Sequence, residues 1–400
     1  MSRKPVLVIN AAKHGFMFEE GRTLLPFDSV EPYLLTHPYG GADQLDPQQY
    51  PHVAVCNFHK NEEILAAARW MISEYGITAI VAPHEKYLVL AAQLRTEFGL
   101  PGLQYESAVL FRDKIKMKQA VQAAGLRIPA FWSLDRVEDL DALDWSRGSK
   151  IIKSRFGVGG SDVYHVDTLE AAREAWQTAG PDAGQFEVEE FIHGTMYHVD
   201  AIVSQGEVVF TSASRYLAKP GDFTPGGIFG SVNIRSGDLF ERICDFNSRA
   251  VTALGMEGGV THLELFHTPE DELVFCEVAA RPGGAGIDRA IDQCFGVNIV
   301  EAAVRLEAGL QMPIPSHAAD RVKGPVWGFI GIYPDGPEPG PAIELEQRSS
   351  MGIAEYLPGG AKNAPRHCSD FTHRYIVGAA DETAFDERYR ALAEASGAHF

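Results

Sequence analysis

The sequence lacks the marks of a secreted, disulfide-rich or membrane-spanning protein. It has five cysteines, scattered and without C-x-x-C spacing, which argues against a disulfide framework or a zinc site; they are Cys56, Cys244, Cys276, Cys294 and Cys368. No apolar run reaches the ~18 residues that a helix needs to span a bilayer. The N-terminal MSRKPVLVIN leads directly into a strand pattern, without the long apolar core and cleavage site of a secretory leader. We therefore expect a cytoplasmic protein that does not bind membranes.

The sequence also has fewer basic than acidic residues. The chain has 54 Asp and Glu residues against 35 Lys and Arg, which gives a formal net charge of -19. This balance argues against an extended nucleic-acid surface, although a local basic pocket for phosphate groups stays open. The rest of the composition, 45% hydrophobic and 22% charged, is that of an ordinary globular protein. A length of 400 residues exceeds what one hydrophobic core usually serves, so several domains are expected.

Two nucleotide-binding signatures are missing. There is no G-x-x-x-x-G-K-[ST], which argues against a P-loop kinase, and no G-x-G-x-x-G after the first strand pattern. The N-terminal quarter nevertheless alternates strand patterns, at 6–9, 53–56 and 77–82, with helix patterns, at 61–75 and 87–98. This order predicts a doubly wound α/β domain, in which helices cover both faces of a parallel sheet.

Two strand patterns at 259–266 and 273–278 are joined by a polar turn and predict an antiparallel hairpin. Each pattern carries a glutamate among apolar neighbours, Glu264 in the first and Glu277 in the second. A buried carboxylate is costly unless a cation or a donor compensates it. Oxygen ligands of this kind suit Mg²⁺, which completes its shell with phosphate and water oxygens. The hairpin therefore indicates a divalent-metal site; the alternative is a surface hairpin with both glutamates on its solvated face.

A glycine-rich loop lies between a strand pattern at 150–153 and a return strand at 163–166. Glycines between two strands let backbone N–H groups converge on a phosphate, and Lys153 at the strand's edge would add a positive charge. A plain hairpin turn is the alternative interpretation. The stretch 214–235, also rich in glycine, predicts a mobile loop that closes over a ligand, with a disordered surface loop as the alternative.

Several motifs follow one another in a specific order: Asp113-Lys114 opening a helix, Lys153 with its glycine loop, the run Glu189-Glu190-Phe191-Ile192 with Gly194, and then Glu264, Glu277 and Arg281. This order resembles that of the ATP-grasp superfamily, and within it the ATP-dependent carboxylate–amine ligases that include bacterial L-amino acid (dipeptide) ligases. The resemblance covers residues 6–310. The forms THLEL at 261–265 and EVAAR at 277–281 are most similar to the amino-acid ligase branch.

The resemblance implies a fold that mixes α/β and α+β architecture. A Rossmann-like N-terminal domain at 1–112 would precede an ATP-grasp fold of two α+β subdomains, at 113–185 and 186–320. A C-terminal, β-rich extension of α+β character at 321–400 would complete the ligase. The nucleotide would lie between the two subdomains.

The resemblance also implies which residues hold the nucleotide and its metal. Lys114 and Lys153 would contact the phosphates of ATP, and Glu264 and Glu277 would bind Mg²⁺, with Mn²⁺ as a substitute. The glycine loop would fold over the β- and γ-phosphates through Gly157, Gly159, Gly160 and Ser161. The hinge would read the adenine through its backbone; its residues are Glu189, Glu190, Phe191 and Ile192.

Two positions depart from the pattern of many superfamily members. Met196 stands where many members have a glutamate that binds the ribose hydroxyls, so ribose binding would pass to a neighbour such as His198 or Asp200. Ala279 stands where many members have an asparagine, two residues past the second metal-binding glutamate, so water or phosphate would complete the metal shell. The amino-acid ligase branch shares this second departure.

On the acid-substrate side, Arg281 is implied to bind the substrate carboxylate and the acyl phosphate made from it. The backbone of Gly283 and Gly284 would lie close to the same group. His262 is a candidate base or substrate contact, and the alternative is a packed, hydrogen-bonded strand histidine. A further set of charged residues could pair with substrate carboxylate or ammonium groups or be ordinary surface charges: Arg215, Arg235 and Asp288.

The activity that the resemblance implies is ATP-dependent joining of a carboxylate, as its acyl phosphate, to an amine, with release of ADP and phosphate. The partners would be small-molecule acids and amines, without nucleic acid or membrane, and a homodimer is the commonest oligomer to expect. The alternatives are a carboxylase or phosphotransferase subunit with the same ATP site, for which no biotin-carrier module is visible, and a nucleotide-binding regulator without turnover.

Overall fold

The structure is a computed structural model of the 400-residue chain. It describes residues 3–10, 18–19, 22–38, 48–160, 162–180, 185–219, 221, 224–312, 314, 324–336, 340–361, 363, 365 and 367–400. Among these residues, no helix is both long and apolar enough to cross a membrane.

The N-terminal part of the chain forms a four-stranded parallel sheet in the order β5-β4-β1-β6. Its elements, with a small hairpin β2–β3 beside them, are β1 (Lys4–Asn10), β2 (Phe18–Glu19), β3 (Arg22–Thr23), β4 (Val30–Thr36), β5 (His52–Val55), α1 (Asn61–Tyr75), β6 (Ala79–Val81), a 3₁₀ turn (Glu85–Tyr87) and α2 (Leu88–Phe98). The predicted parallel sheet is confirmed. Residues 6–9 are all fully buried, because α1 and α2 cover one face and a later helix covers the other.

Two helices lead from this sheet into the next part of the chain, α3 (Tyr105–Arg112) and α4 (Lys114–Ala123). Asp113 separates them, and its side chain accepts hydrogen bonds from the backbone N–H groups of Ile115 and Lys116. This capping explains why α4 begins at Lys114, as predicted. The capping carboxylate also accepts a hydrogen bond from Arg155, with 2.6 Å between Nη2 and Oδ2, so the helix start is tied to the glycine loop.

The second sheet is antiparallel and has the order β7-β10-β8-β9. Its elements are β7 (Phe131–Leu134), 3₁₀ turns (Val137–Ala142 and Trp145–Arg147), β8 (Lys150–Ser154), β9 (Val163–Val166), α5 (Leu169–Ala179) and β10 (Phe186–Glu190). Helix α5 buries Ala172 and Ala175 against one face of this sheet. The other face is thereby left for charged residues that lie near the cavity described below.

The third sheet has eight antiparallel strands in the order β15-β14-β11-β12-β13-β16-β18-β17. Its strands are β11 (Thr195–Ser204), β12 (Glu207–Tyr216), β13 (Ile228–Ile234), β14 (Gly258–His267), β15 (Leu273–Ala279), β16 (Val326–Ile332), β17 (Ile353–Pro358) and β18 (His373–Ala379). The helices of this part are α6 (Asp238–Ala253), α7 (Ile287–Phe295), α8 (Ile299–Glu307), α9 (Leu345–Arg348) and α10 (Glu382–Ser396). Strand β16 pairs with β13, so the sheet runs unbroken across the predicted boundary at 320/321. The division into domains stays a prediction.

The prediction of a mobile loop over 214–235 is wrong at both ends of that stretch. Its ends belong to β12 and β13, and all residues of Ile228–Ile234 are buried. Glycine serves close packing here, since a Cβ on Gly230 would lie 2.5 Å from the carbonyl oxygen of Phe329 on the neighbouring strand. Only 217–227 connects the strands, and residues 220, 222 and 223 lie outside the described part of the chain.

Candidate active site

A cavity of about 950 Å³ lies where the three sheets meet. Its walls come from the turn after β6, from β8 and the glycine loop, from the β14–β15 hairpin, from the segment 281–288, from α8 and from 367–369. Helix α8 packs on the N-terminal sheet through Val304 and Ala308. Its last residue, Glu307, accepts hydrogen bonds from the Ala82 N–H, at 2.9 Å, and from the buried Arg95, at 3.1 Å. These contacts fix the N-terminal sheet against the cavity.

Glu264 and Glu277 face each other across the β14–β15 hairpin, which confirms the predicted pairing. They are register partners, and a β-bulge follows directly after Glu264. Bulges of this kind re-aim side chains near functional sites. Both side chains are largely buried and line the cavity, and Tyr216 donates a hydrogen bond to Glu264 Oε1 at 2.7 Å. Two converging carboxylates are a hard oxygen donor set, so the residues present fit Mg²⁺.

Lys114 and Lys153 bring two buried ammonium groups to the same cavity. Lys114 Nζ lies 3.3 Å from Glu277 Oε2 and donates a hydrogen bond to the Gly157 carbonyl at 2.8 Å. Lys153 Nζ lies 3.1 Å from Glu189 Oε2. Burial lowers the pKa of Lys153, but the neighbouring carboxylates, Glu189 first, raise it well above its ordinary value. Lys153 therefore stays charged, as a phosphate contact requires.

Behind Lys153 lies a buried ionic cluster that the sequence reasoning missed. Lys118 and Glu187 are fully buried and 2.8 Å apart, and Lys118 also pairs with Glu189. Burial raises the pKa of Glu187, whereas for Glu189 the two lysines outweigh burial and lower it. The signal was available, because Lys118 follows Lys114 by one helical turn and Glu187 and Glu189 share a strand face. The Glu189 side chain is thus engaged in the protein, and Glu189 also has a register partner on each neighbouring strand, Phe131 on β7 and Ile151 on β8.

The other hinge residues border the cavity directly: Glu190, Phe191 and Ile192. The Phe191 N–H donates to the Ser149 carbonyl at 3.2 Å, and the Glu190 N–H donates to the Ala130 carbonyl at 2.8 Å. Within the described part of the chain, the Ile192 N–H has no such partner. This leaves one backbone donor at the hinge for a ligand.

The glycine loop forms one wall of the cavity. Gly159 and Gly160 have positive φ angles, 65° and 74°, which glycine adopts without strain. The Cys368 N–H lies 3.4 Å from the Gly159 carbonyl oxygen, and a Cβ on Gly159 would collide with the His367 ring. The loop therefore packs against a segment far along the chain. Ser161, predicted to contact phosphate, lies outside the described residues.

Replacing Gly159 by alanine should raise the KM for ATP about tenfold. The substitution strains a left-handed backbone, which costs roughly 1–3 kcal/mol, and pushes the loop away from His367. Gly180→Ala is the matched control, because Gly180 has a φ of 86° but no atom within 4 Å of the added Cβ. Steady-state kinetics with varied ATP measure both, and an equal effect of the two substitutions would contradict a role of the loop in nucleotide binding.

Arg281 lines the cavity, and its partner is a residue that sequence reasoning had not assigned a function. Its Nε donates to Glu85 Oε2 at 2.6 Å, and Arg112 pairs with the other oxygen of Glu85. Burial lowers the pKa of Arg281, but Glu85 outweighs burial and raises it. Arg112 also donates to the Phe156 carbonyl of the glycine loop at 2.7 Å. Glu85 follows β6, at the edge where parallel sheets bind ligands, and that position was a usable signal.

His262 and His198 belong to one buried network around Asp200. His262 Nδ1 lies 2.9 Å from Asp200 Oδ1, and its Nε2 lies 3.6 Å from Glu264 Oε1. Burial lowers the pKa of His262, but Asp200 raises it to about 9, so the ring is charged at neutral pH. A charged ring favours a contact or positioning role over that of a general base.

Three predicted ligand contacts do not line the cavity. His198 is buried between Asp200 and the Ser231 hydroxyl, at 2.7 and 2.9 Å, which leaves no ring nitrogen for a ribose. Arg215 pairs with Asp386 at 2.8 Å, since it alternates along β12 with the inward-facing Tyr216. Arg235 donates to a backbone carbonyl and lies over an aromatic ring. Gly283, Gly284 and Asp288 do line the cavity.

Comparison with known proteins matches residues 161–288 to the ATP-grasp domain family. The whole chain superposes on an L-amino acid ligase from Bacillus licheniformis with a TM-score of 0.74, at 22% identity, covering 99% of this chain and 98% of that one. The chain has an ATP-grasp fold. This fold is shared with N5-carboxyaminoimidazole ribonucleotide synthetase, at a TM-score of 0.70, 14% identity and coverage of 98% of both chains.

Two curated relatives add sequence similarity to this ATP-grasp fold. The chain is 28% identical over 236 residues to an L-arginine-specific L-amino acid ligase of Bacillus subtilis, covering 57% of each protein. It is 23% identical over 266 residues to an alanine–anticapsin ligase of Bacillus subtilis, covering 60% of this chain and 56% of the relative. The matches thus span little more than half the length of these relatives. The chain resembles ATP-grasp L-amino acid ligases.

Proposed function

We propose that this chain is an ATP-dependent ligase that joins the carboxylate of an amino acid, or of a related small acid, to an amine. The observation that carries the proposal is the convergence, in one cavity, of two buried lysines, two paired glutamates and one arginine; these are Lys114, Lys153, Glu264, Glu277 and Arg281. The lysines would offset the negative charge of phosphates, and the two glutamates offer oxygen ligands that would hold a divalent ion.

At the nucleotide end, Lys114 and Lys153 would contact the phosphates of ATP under the glycine loop. Glu264 and Glu277 would hold Mg²⁺, which would offset phosphate charge when bound. The free N–H of Ile192 would donate to the adenine, with carbonyl groups of the hinge beside it. Both lysines are buried, so their interaction with phosphate is stronger than it would be in water.

At the acid end, Arg281 would orient the substrate carboxylate, with Gly283 and Gly284 bringing backbone close to it. A carboxylate oxygen attacks the γ-phosphorus, and the bond from that phosphorus to the leaving ADP oxygen breaks. The amine nitrogen then attacks the acyl carbon, phosphate leaves, and the amine gives up a proton. Arg281 would stabilise the negative charge that develops in both steps. Glu85 holds Arg281 from the N-terminal sheet through one carboxylate oxygen, and its other oxygen pairs with Arg112.

The similarity to two amino-acid ligases is what favours an amino-acid substrate over bicarbonate. The structural match to N5-carboxyaminoimidazole ribonucleotide synthetase supports the fold alone.

Incubation of the purified chain with ATP, Mg²⁺ and mixed amino acids tests the proposal. We expect ADP and phosphate to form only when amino acids are present, together with a new amide detected by mass spectrometry. Removal of Mg²⁺ by EDTA should stop both. ADP release that depends on bicarbonate would instead identify a carboxylase, and ATP binding without ADP would identify a regulator; either outcome overturns the ligase.

A further inference from the structure

Asp200, in the middle of β11, is fully buried and borders the cavity only through its partners. Its Oδ1 accepts hydrogen bonds from His262 Nδ1, at 2.9 Å, and from the backbone N–H of Gly283, at 3.1 Å. Its Oδ2 lies 2.7 Å from His198 Nδ1. A single buried carboxylate thus joins two residues of the cavity wall, one on β14 and one in the segment that carries Arg281.

The residue at position 283 must be glycine for this contact to exist. A Cβ there would lie 2.6 Å from Asp200 Oδ1 and 2.9 Å from His262 Nδ1. The segment that follows turns sharply, since Ala285 and Gly286 both have positive φ angles, 64° and 108°. Within the described part of the chain, one backbone hydrogen bond lies inside 281–287, from the Ile287 N–H to the Gly284 carbonyl at 3.0 Å. The buried anchor at Gly283 therefore acts together with Glu85 to fix where Arg281 lies.

A metal site is the other chemistry that two histidines and an aspartate could support. The ligand atoms of His198, Asp200 and His262 all lie within 4.8 Å of one another. However, each nitrogen already approaches an Asp200 oxygen to 2.7 or 2.9 Å, which is hydrogen-bond distance. A metal ion would need these ligand atoms ~2.0–2.2 Å from itself. The side chains would have to move to reach it, and the hydrogen bond from the Gly283 N–H to Asp200 would break. The geometry is that of a hydrogen-bonded anchor.

We propose that Asp200 is a positioning residue for the acid substrate: it fixes the Gly283 backbone and the His262 ring so that Arg281 meets the substrate carboxylate. This inference rests on the proposed ligase function. Asp200 touches no reacting atom and acts through the two residues that it holds. The proposed nucleotide contacts lie on other elements, α4, β8 and the hinge, so Asp200 acts first at the acid end of the cavity. Its link toward the proposed metal-binding pair is the His262 ring, whose Nε2 lies 3.6 Å from Glu264 Oε1.

The test compares three variants with the wild-type protein. Asp200→Ala removes the anchor, and Asp200→Asn keeps an oxygen for His262 and Gly283 while its amide faces His198. Ser212→Ala is the matched control, because Ser212 is buried on the neighbouring strand, opposite Asp200, and its hydroxyl has no partner in the described part of the chain. The measurements are kcat/KM for the acid, the Kd for ATP, and deuterium exchange of the peptide spanning 281–286.

We expect Asp200→Ala to lower kcat/KM for the acid about 10- to 100-fold, as removal of a partner that orients a ligand-holding group does. The Kd for ATP should stay within about twofold, and exchange in 281–286 should become at least tenfold faster. Asp200→Asn should restore most of the protection and activity, and Ser212→Ala should match the wild type. If Asp200→Ala does not fold, Gly283→Ala, which forces the two groups apart, should give the same pattern.

Unchanged exchange in 281–286, or a loss of ATP affinity as large as the loss of kcat/KM, would overturn the proposal. The exchange measurement needs neither substrate nor turnover. The two proposals can therefore fail separately. If the wild-type protein forms no amide, but the Asp200→Ala variant still exchanges faster at 281–286, the ligase function is overturned and the role of Asp200 as an anchor is kept.

Discussion

Replacing Glu277 by glutamine is expected to reduce substrate-dependent ADP release by about 10²- to 10³-fold, the usual effect of removing one group that stabilises transition-state charge. Glutamine keeps the shape of the side chain but removes the negative charge that faces Glu264 across the hairpin and Lys114 at 3.3 Å. The pair would then hold Mg²⁺ poorly, and Lys114 would lose its ion-pair partner. Coupled detection of ADP, with Mg²⁺ varied, measures the loss.

Glu272→Gln is the matched control for this experiment. Glu272 stands just before β15 in the same hairpin, half exposed, and pairs with Arg127 on the surface. Its replacement should leave ADP release unchanged, because exposed ion pairs contribute little. Turnover by Glu277→Gln close to that of Glu272→Gln would show that the hairpin holds no catalytic metal. Thermal melting of both variants checks that the fold is intact.

Replacing Lys118 by methionine should destabilise the second sheet and α4 by about 3–5 kcal/mol, the usual result of breaking a buried ion pair from one side. Methionine has nearly the same length, so packing is kept and the loss comes from charge. Glu187 and Glu189 would both remain buried, with Lys153 as the nearest remaining cation, at 3.9 and 3.1 Å. Because Lys153 would be drawn toward these carboxylates, affinity for ATP should also fall.

Lys116→Met on the same helix is the control, since Lys116 is exposed and should tolerate the change within about 0.5 kcal/mol. Calorimetry is the suitable measurement, because a chain with several sheets need not unfold in one step. The transition that shifts in Lys118→Met should be the one that ATP stabilises. Equal melting of the two variants would contradict an energetic role for the buried cluster.

The sequence was sufficient for those parts of the site that depend on local pattern. Alternation around Glu264 and Glu277, with a polar turn between them, predicted both the hairpin and the meeting of the two side chains, and the structure confirms both. The helix that begins at Lys114 was equally predictable, because Asp113 is a good capping residue.

Local pattern could mark single residues such as Glu85 and Lys118, but it could not show which distant residue each of them contacts. Glu85 and Arg281 are 196 positions apart, and no periodicity links them. Lys118 follows Lys114 by one helical turn, but its partners Glu187 and Glu189 are known only once β10 is placed beside α4. The prediction for 214–235 was wrong at its ends for a related reason. Gly230 allows β16, a strand from much later in the chain, to pack closely against β13. In each case the tertiary packing differs from what composition alone suggested.

The pairing of β13 with β16 has a consequence for anyone who divides this protein into pieces. A fragment that ends near residue 320 would expose the flank of β13 that pairs with β16, from Ile228 to Val232, all of it buried in the intact chain. Unpaired strand edges of this kind form hydrogen bonds with other chains, which leads to aggregation. The C-terminal part of the chain, about eighty residues, therefore prevents self-association by covering this edge. We expect chains truncated near residue 320 to be recovered as insoluble material.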